Sequence, residues 1–318
     1  MRLTSAPLYT DVRPGPDGGQ AHWLNTSDGL RIRMGHWTPK DAGGTVLMFP
    51  GRTEYVEKYA VVAQGFHDRG YATVAIDWRG QGLADRMLDD GRIGHVDHFM
   101  DYQDDVQTVL DAVRALGLPE PYYLMAHSMG GCIGLRALHE GLPVVAAAFT
   151  GPMWGIRIKA HMQPLAWVLP RLMPAIGQGH ALPPSTKIDP YVLTDPFEDN
   201  LLTTDEQMWD MMADQLRAHD ELRLGGPSFV WLRSALDECN ALARLPAPPV
   251  PAICFQGSNE RIVHQGRIAA QMAKWPEGDL RIIDGGEHEV LMENDAVRGR
   301  ILSAAVAKFE ARPFIAAA

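Results

Sequence analysis

The pattern of apolar and polar residues predicts short buried strands that alternate with amphipathic helices. Two strand-like runs, 21–25 and 30–37, are separated by the turn S-D-G. From Thr45 onward the strands are continuously apolar, and the segments between them carry apolar residues at helical spacing. These strands read T-V-L-M-F-P, Y-A-T-V-A-I-D, P-Y-Y-L-M-A-H, P-A-I-C-F-Q-G and L-R-I-I-D-G-G. The alternation indicates a mostly parallel central sheet with helices on both faces.

One long segment, residues 151–226, departs from this alternation. It is dense in Met, Trp, Pro and Leu and contains no strand-like run. We therefore predict a core formed by residues 1–150 and 227–318, with a helical cap inserted between them over the carboxyl edge of the sheet. Within the cap, Thr203 and Glu206 have the spacing of a capping box, which predicts a helix that begins there.

The first part of the cap is more apolar than an exposed helix requires. Met-rich surfaces adapt to flexible apolar ligands, so one interpretation is a groove for an acyl chain. The alternative, which stays open, is that these side chains form only the core of the cap itself. Pro164 and Pro170 predict a jointed segment rather than one long helix. The candidate substrate contacts are Gly51, Met153, Trp154 and Trp167.

Composition and charge narrow the classes of function. Hydrophobic residues make up 46% of the chain and charged residues 21%, as in ordinary globular enzymes. The formal charge of −10 argues against a nucleic-acid partner, because phosphate binding needs clustered Lys and Arg. It also argues against steady attraction to anionic lipid surfaces. Any membrane contact is therefore expected to be transient, apolar and made by the cap, without stable insertion.

The cysteines and the N-terminal residues bear on location. The three cysteines are odd in number and widely spaced, which is typical of a reducing compartment rather than a disulfide framework. The first residues, M-R-L-T-S-A-P-L-Y-T-D-V, contain no apolar run of signal-peptide length, and no later run has membrane-spanning length. We therefore expect a cytoplasmic protein, peripheral at most at the inner face of the membrane.

The sharpest chemical signal is the run A-H-S-M-G-G between an apolar strand and a helix. A serine on such a tight turn projects its hydroxyl above the sheet, as a nucleophile does. The turn demands small residues two positions before and after Ser128, and these are Ala126 and Gly130. The N–H of Met129 opens the helix and is well placed to stabilise developing negative charge. The alternative is a glycine-rich turn with an incidental serine.

A serine hydroxyl needs a general base, and the base needs an orienting carboxylate. His288 follows the last apolar strand and Glu260 follows the strand before it, so we expect both at the edge of the sheet that holds Ser128. The alternatives are a loop histidine and a surface ion pair between Glu260 and Arg261. The second oxyanion donor is predicted to be the N–H of Arg52, in the loop after the first apolar strand.

Two further motifs give weak signals. The run H-V-D-H at 95–98 contains side chains that bind metals, but no further ligands follow at a suitable spacing. The run G-Q-G at 80–82 lacks the third glycine of a dinucleotide-binding loop and is better explained as a turn. We therefore expect no metal and no organic cofactor.

Five segments together resemble the bacterial lysophospholipase L2 family and the related monoacylglycerol lipases, all within the α/β-hydrolases. They read F-P-G-R-T-E-Y-V-E-K-Y, I-D-W-R-G-Q-G, G-H-V-D-H-F-M-D-Y-Q-D-D, A-H-S-M-G-G and G-G-E-H-E-V-L-M-E-N-D-A-V-R. The similarity spans about 45–150 and 228–309 and is weakest in the cap. It implies the α/β-hydrolase fold with a helical cap. It also implies that the substrate is a small molecule, the carboxylic ester of a single-chain lipid such as a lysophospholipid or a monoacylglycerol.

Carried over by position, the resemblance also implies the role of each site residue. Ser128 would be the nucleophile, Glu260 the acid and His288 the base, with the N–H groups of Arg52 and Met129 as oxyanion donors. Three positions depart from the usual pattern of the related lipases: Ala126 stands for glycine, Glu260 for aspartate, and Pro50 for the histidine before the oxyanion glycine.

Two alternatives to a lipid esterase stay open at this stage. The same three residues could serve a short-chain carboxylesterase, a thioesterase or a proline-releasing peptidase. A non-catalytic small-molecule receptor of the same fold is the second alternative, although a receptor has no need for a complete serine, acid and histidine set. The sequence makes no prediction about head group, acyl length or oligomeric state.

Overall fold

A computed structural model describes residues 3–184, 186–276 and 278–311 of the 318-residue chain. Within these residues nine strands form a single sheet, in the order β1-β2-β3-β5-β4-β6-β7-β8-β9. The strands are Thr4–Ser5 (β1), Gln20–Asn25 (β2), Arg31–Trp37 (β3), Thr45–Phe49 (β4), Ala72–Asp77 (β5), Tyr122–His127 (β6), Ala147–Thr150 (β7), Ala252–Gly257 (β8) and Asp279–Ile283 (β9). Strands β1 to β3 pair antiparallel, whereas β5, β4, β6, β7, β8 and β9 run parallel to one another. The predicted mostly parallel sheet is confirmed.

Helices fill the connections between the parallel strands. In the described part of the chain the α-helices are Ala60–His67 (α1), Tyr102–Ala115 (α2), Ser128–His139 (α3), Gln163–Ala175 (α4), Tyr191–Thr194 (α5), Glu206–Ala218 (α6), Phe229–Leu242 (α7), Gln265–Ala273 (α8) and Asp295–Glu310 (α9). Short 3₁₀ helices lie at Val56–Tyr59, Phe99–Asp101, Ala160–Met162, Asp220–Leu222 and Val290–Met292. None of the helices in the described ranges has both the length and the apolar character needed to cross a membrane.

Two hydrophobic cores lie on opposite faces of the sheet. Along β4, Leu47 and Phe49 belong to one core, and the alternating residues Val46 and Met48 belong to the other. Successive side chains of a strand point to opposite faces, so a fully apolar strand must be covered on both. Helices α2, α3, α7 and α8 supply side chains to the first core, and α1 and α9 to the second.

The parallel pairing brings the carboxyl ends of β4, β6, β7, β8 and β9 to one edge of the sheet. The loops that follow β4, β8 and β9 carry Arg52, Glu260 and His288, and Ser128 directly follows β6. Residues more than a hundred positions apart in sequence therefore meet at this edge.

Between β7 and β8 the chain forms helices α4 to α7, and α4 packs against α7. The expectation of a jointed segment is wrong for α4, which is one helix of 13 residues. Pro164 lies in its first turn, where a missing N–H costs no hydrogen bond, and Pro170 lies inside the helix. The division into a core and a cap at residues 151 and 226 stays a prediction.

The predicted capping box of α6 is also wrong. The side chain of Asp205 caps this helix by accepting a hydrogen bond from the N–H of Met208 at 2.9 Å. The hydroxyl of Thr203 instead donates to the carbonyl of Met292 at 2.7 Å, which ties the start of α6 to the segment that follows His288.

Candidate active site

Ser128 lies at the turn between β6 and α3 with a φ of +50°, in the left-handed region that non-glycine residues rarely adopt. Gly130 permits this turn, because a Cβ there would overlap the carbonyl oxygens of Phe49 and Pro50. Ala126 fits in place of the usual glycine because Gly134 faces it. A Cβ on Gly134 would lie 3.3 Å from the Cβ of Ala126, so only one of the two positions easily carries a side chain.

The structure brings together the three residues predicted for nucleophilic chemistry. The Nε2 atom of His288 lies 2.9 Å from the Oγ of Ser128. Its Nδ1 atom lies 2.6 Å from the Oε2 of Glu260. The other oxygen of Glu260 accepts hydrogen bonds from the N–H groups of Ile262 and Val263 at 2.7 and 2.9 Å. The carboxylate is therefore fixed on both oxygens and buried, and it can orient the imidazole.

The charges of His288 and Glu260 set the pKa values of both groups. Burial lowers the pKa of His288, but the carboxylate of Glu260 and its hydrogen bond outweigh burial and place the pKa above 6.5. Burial raises the pKa of Glu260, yet the charge of His288 and the hydrogen bonds to this carboxylate bring it below its usual value. Glu260 is thus a carboxylate at neutral pH, placed where its charge favours the protonated form of His288.

The ion pair considered between Glu260 and Arg261 is absent from the described residues. Arg261 pairs instead with Asp199 at 2.7 Å and with Glu287 at 3.3 Å. The nearby acid Asp284 is exposed on the loop after β9. Glu260 is therefore the carboxylate that is available to His288.

Three side chains hold the loop after β4 in place. The indole N–H of Trp78 donates to the carbonyl of Pro50 at 2.9 Å. The amide of Gln81 donates to the carbonyl of Gly51 at 2.8 Å, and the carboxylate of Glu54 accepts the N–H of Gly51. A Cβ on Gly51 would lie 3.1 Å from the Cβ of Ser128, which is tighter than most real Cβ contacts, so glycine suits this close approach of the loop. The loop is thus fixed beside the serine.

The two predicted oxyanion donors face this region from different elements. The N–H of Gly51 is occupied by Glu54, whereas the N–H of Arg52 makes no backbone hydrogen bond in the described residues. Met129 is in the first turn of α3, where N–H groups have no acceptor within the helix. Both N–H groups are therefore free to donate hydrogen bonds to a developing negative charge, and their role stays a proposal.

A buried ionic cluster lies behind the loop. The ammonium of Lys58 contacts Glu54 at 2.7 Å and Glu289 at 2.6 Å, and the hydroxyl of Tyr59 donates to Glu54 at 2.6 Å. The imidazole of His127 lies 3.7 Å from Glu54, and burial lowers the pKa of His127 to about 4. This imidazole is therefore neutral.

This cluster also has the spacing of a metal site, since one ligand atom from each of Glu54, His127 and Glu289 lies within 4.8 Å of the others. Lys58 already supplies a positive charge between the two carboxylates. The side chain of His95, from the H-V-D-H run, forms a hydrogen bond with the hydroxyl of Ser228 at 2.8 Å. Ser228 is the N-cap residue of α7, so this bond links the loop that contains His95 to the start of that helix. In the described residues, the contacts of Lys58 therefore account for the cluster of Glu54, His127 and Glu289, and the bond to Ser228 accounts for the position of His95, without a metal ion in either case.

A cavity of about 690 Å³ adjoins Ser128 and His288. Most of its lining is apolar and comes from the segment between β7 and β8, including Met153, Ile156, Met162, Leu165, Leu169, Tyr191, Val192, Leu201, Leu202, Met212, Leu216, Phe229, Trp231 and Leu232. Ligand cavities typically combine such a surface with a few polar groups that orient the ligand. The arrangement suits an apolar chain that carries a reactive polar group.

The predicted substrate contacts divide into two pairs. Gly51 and Met153 line the cavity, but Trp154 and Trp167 do not. Trp154 is buried and donates its indole N–H to the carbonyl of Gly131 at 3.1 Å, because the segment after β7 packs closely against α3. Trp167 is 37% exposed on the outer side of α4, where its ring lies 5.2 Å from the guanidinium of Arg171.

Sequence reasoning missed the buried ionic cluster. Glu54 and Lys58 lie next to Tyr55 and Tyr59, which mark the apolar face of the helical segment that follows the loop. Two charged residues four positions apart beside an apolar face are a signal for a buried ion pair. Glu289, their third partner, is 231 positions from Lys58, and no local pattern connects them.

Comparisons with known proteins agree on a family. The family profile described as serine aminopeptidase, S33, matches residues 40–295. Lysophospholipase L2 of Escherichia coli K12 is 32% identical over 299 residues, covering 88% of this chain and 84% of the relative. A probable lysophospholipase L2 of Haemophilus influenzae is 29% identical, covering 81% of this chain and 80% of the relative.

Solved structures support the fold. A soluble variant of monoglyceride lipase from Saccharomyces cerevisiae, in complex with a substrate analogue, matches 98% of this chain and 100% of its own with a TM-score of 0.73 at 18% identity. A thermostable carboxyl esterase of Bacillus coagulans, in complex with glycerol, matches 92% of this chain with a TM-score of 0.70 at 17% identity. At these identities the likeness concerns the fold alone.

Proposed function

This chain belongs to the lysophospholipase L2-like α/β-hydrolases of the serine aminopeptidase S33 family, and from that membership we propose that it hydrolyses the carboxylic ester of a single-chain lipid. Membership of this family identifies the chain as a serine ester hydrolase. The proposal concerns the residues that perform it and the class of ester. The observation that carries it is the continuous set of contacts from Glu260 through His288 to Ser128 beside an apolar cavity.

In the first half of the proposed reaction, Ser128 Oγ attacks the acyl carbonyl carbon while His288 Nε2 takes the hydroxyl proton. The carbonyl oxygen becomes an oxyanion, to which the N–H groups of Arg52 and Met129 donate hydrogen bonds. When the tetrahedral intermediate collapses, the ester C–O bond breaks and His288 gives the proton to the leaving alkoxide oxygen. The acyl group stays on Ser128 and the alcohol leaves.

In the second half, His288 takes a proton from water, and the resulting hydroxide attacks the acyl-enzyme carbonyl. The second tetrahedral intermediate breaks its bond to Ser128 Oγ, which recovers a proton from His288. The fatty acid leaves and the enzyme returns to its starting state. Both halves use the same oxyanion donors, so the fixed loop after β4 needs no rearrangement between them.

The charges of the cavity favour a lipid ester over a peptide with a free amino terminus. An aminopeptidase needs an anionic group to bind the substrate ammonium. The carboxylates that line this cavity are Glu54 and Glu289, and both are already bound to Lys58. A cationic substrate group would meet further cations there, including Arg52 and Arg157.

Fluorophosphonate labelling tests the proposed nucleophile directly. We expect the wild-type protein to be labelled stoichiometrically and the Ser128→Ala variant to remain unlabelled, with ester hydrolysis reduced by several orders of magnitude. Ser303→Ala is a matched control, because this serine is on α9 and bonds to Arg69 away from the cavity. Labelling of Ser128→Ala at the wild-type level would overturn the assignment.

A further inference from the structure

One cation beside the candidate active site has no anionic partner. The guanidinium of Arg52 lines the cavity, donates to the carbonyl of Gly225 at 2.6 Å and lies 5.8 Å from the ring centre of Trp231. No carboxylate of the described residues forms an ion pair with it. Burial lowers the pKa of Arg52 to about 10, since no carboxylate of the described residues offsets the loss of solvent. An arginine so placed remains charged and has unused N–H donors.

Other charges of the lining reinforce this local excess. Four of the lining residues are Lys or Arg and two are Glu, although the whole chain carries a formal charge of −10. Arg157 and Lys159 are exposed at the part of the lining formed by the segment after β7, and neither forms an ion pair with the residues described. The cavity is therefore electropositive within an acidic protein, which favours entry of an anionic ligand.

We propose that the guanidinium of Arg52 binds the phosphate of a lysophospholipid head group, with Arg157 and Lys159 drawing that group into the cavity. The inference deepens the proposed function and rests on it. The planar fork of arginine can donate two hydrogen bonds to one phosphate, and the ring of Trp231 limits where the fork can turn.

The proposal gives Arg52 two contacts with the substrate, one with the acyl carbonyl and one with the phosphate of the head group. Its backbone N–H is a proposed oxyanion donor for the acyl carbonyl. Its guanidinium lies beside the carbonyl of Gly225 and the ring of Trp231, and the proposal requires the glycerol unit to span from the acyl ester to this point. A monoacylglycerol lacks the phosphate and leaves the guanidinium without an anion, so the residue discriminates between the two lipid classes.

The test compares 1-palmitoyl-lysophosphatidylglycerol with 1-palmitoylglycerol, which share the acyl ester and differ in the phosphate. We expect Arg52→Gln to lower the ratio of the two kcat/KM values by about 10- to 100-fold, the size of a lost charged hydrogen bond. Arg52→Lys should recover part of this ratio because it restores the charge but not the fork. Arg114→Gln, on the exposed side of α2, should keep the wild-type ratio.

A second arm separates the head group from the other anion in the reaction, the fatty-acid carboxylate. With p-nitrophenyl butyrate as substrate, sn-glycerol 3-phosphate and palmitate are compared as competitive inhibitors. We expect Arg52→Gln to raise the inhibition constant of glycerol 3-phosphate by about 10-fold or more and that of palmitate by less than about 2-fold. A change confined to palmitate would overturn the proposal, because Arg52 would then bind the acid product.

The two proposals fail in different ways. If the wild-type protein hydrolyses both palmitoyl lipids and Arg52→Gln leaves the ratio of kcat/KM unchanged, the head-group site is wrong and the lipid esterase stands. If the wild-type protein hydrolyses short esters but neither palmitoyl lipid, both the head-group site and the lipid substrate are wrong.

Discussion

At the scale of single residues, the proposed chemistry depends on a neutral His288 that becomes charged during the reaction. Glu260 stabilises that charge at 2.6 Å and thereby raises the pKa of the imidazole against the opposing effect of burial. The same contact that makes His288 a stronger base also means that its acidic form persists to higher pH. Protonated His288 cannot accept the proton of Ser128, so activity must rise with pH as this group titrates.

The pH profile provides a prediction for this pair. In the wild-type protein, the acid limb of kcat/KM should have its midpoint above pH 6.5. Glu260→Gln removes the largest of the charges that raise the pKa of His288 and leaves the burial that lowers it, so the midpoint should shift to lower pH than in the wild-type protein while kcat drops by up to about 10⁴-fold. Glu140→Gln, exposed at the end of α3, should leave the profile unchanged. An acid limb that stays in place in Glu260→Gln would contradict the pairing.

The sequence allowed Ser128, Glu260 and His288 to be predicted because each follows an apolar strand. Their meeting is a consequence of parallel pairing, which brings the carboxyl ends of strands to one edge. Trp154 and Trp167 could not be placed in the same way. The apolar composition of the surrounding segment indicated that both contact an apolar ligand. Whether each side chain faces the cavity, the core or solvent depends on the path of the backbone after β7 for Trp154 and on the face of α4 for Trp167.

At the scale of elements, the loop between β4 and α1 is held by Trp78 and Gln81 from the segment after β5 and by Glu54 of the loop itself. Glu54 has a central place in it, since this carboxylate accepts Gly51 N–H and Tyr59 O–H and contacts Lys58. Burial raises the pKa of Glu54, but the positive charge of Lys58 outweighs burial and lowers this pKa below its usual value, so Glu54 is ionised. In the proposed mechanism it is a positioning residue, because it acts through Gly51 on the neighbouring N–H of Arg52.

Removal of Glu54 should separate positioning from stability. We expect Glu54→Ala to lower kcat by about 10- to 100-fold with a smaller change in KM, because the oxyanion donor loses its fixed position. It should also cost about 3–5 kcal/mol of stability, since Lys58 remains buried with one partner fewer.

Glu57→Ala is the matched control for that experiment. Glu57 is a buried carboxylate three positions further along and is paired to Arg33 at 2.6 Å. Its removal should cost similar stability with little effect on the kcat of the folded enzyme. Equal losses of kcat in the two variants would indicate that Glu54 acts only through stability.

Two helical glycines give an opposite pair of predictions. Gly130→Ala places a Cβ against the carbonyls of Phe49 and Pro50, so we expect it to lose about 1–3 kcal/mol of stability and most activity. Gly299→Ala, in α9, meets no atom within 4 Å and should gain about 0.5–1 kcal/mol. Chemical denaturation measures both, and a neutral Gly130→Ala would contradict the close approach of α3 and β4.

The elements themselves were largely predictable where an apolar pattern had a clear period. The prediction failed at α4, where prolines were taken as interruptions. A proline in the first turn is compatible with a helix, and α4 continues through Pro170 while packing against α7. It also failed at α6, where a long-range bond from Thr203 to Met292 left Asp205 to cap the helix.

At the scale of the whole molecule, the sheet edge carries the proposed reactive groups, and the segment between β7 and β8 supplies most of the apolar cavity lining. The hydrogen bond from Thr203 to Met292 and the pairing of Arg261 with Asp199 tie that segment to the loops near His288 and Glu260. The cavity of about 690 Å³ is large enough for a flexible single chain. The sequence indicated an apolar insertion, but the choice between groove and internal core required the side-chain directions.

The central claim is that Ser128 hydrolyses the ester of a single-chain lipid. The most direct measurement is the rate of palmitate release from a palmitoyl-lysophospholipid by the wild-type protein and by Ser128→Ala at equal concentration. We predict steady release by the wild-type protein and at least about a 10³-fold lower rate in the variant, which keeps its fold and cavity. Equal release by both proteins, or none by either, would contradict the account.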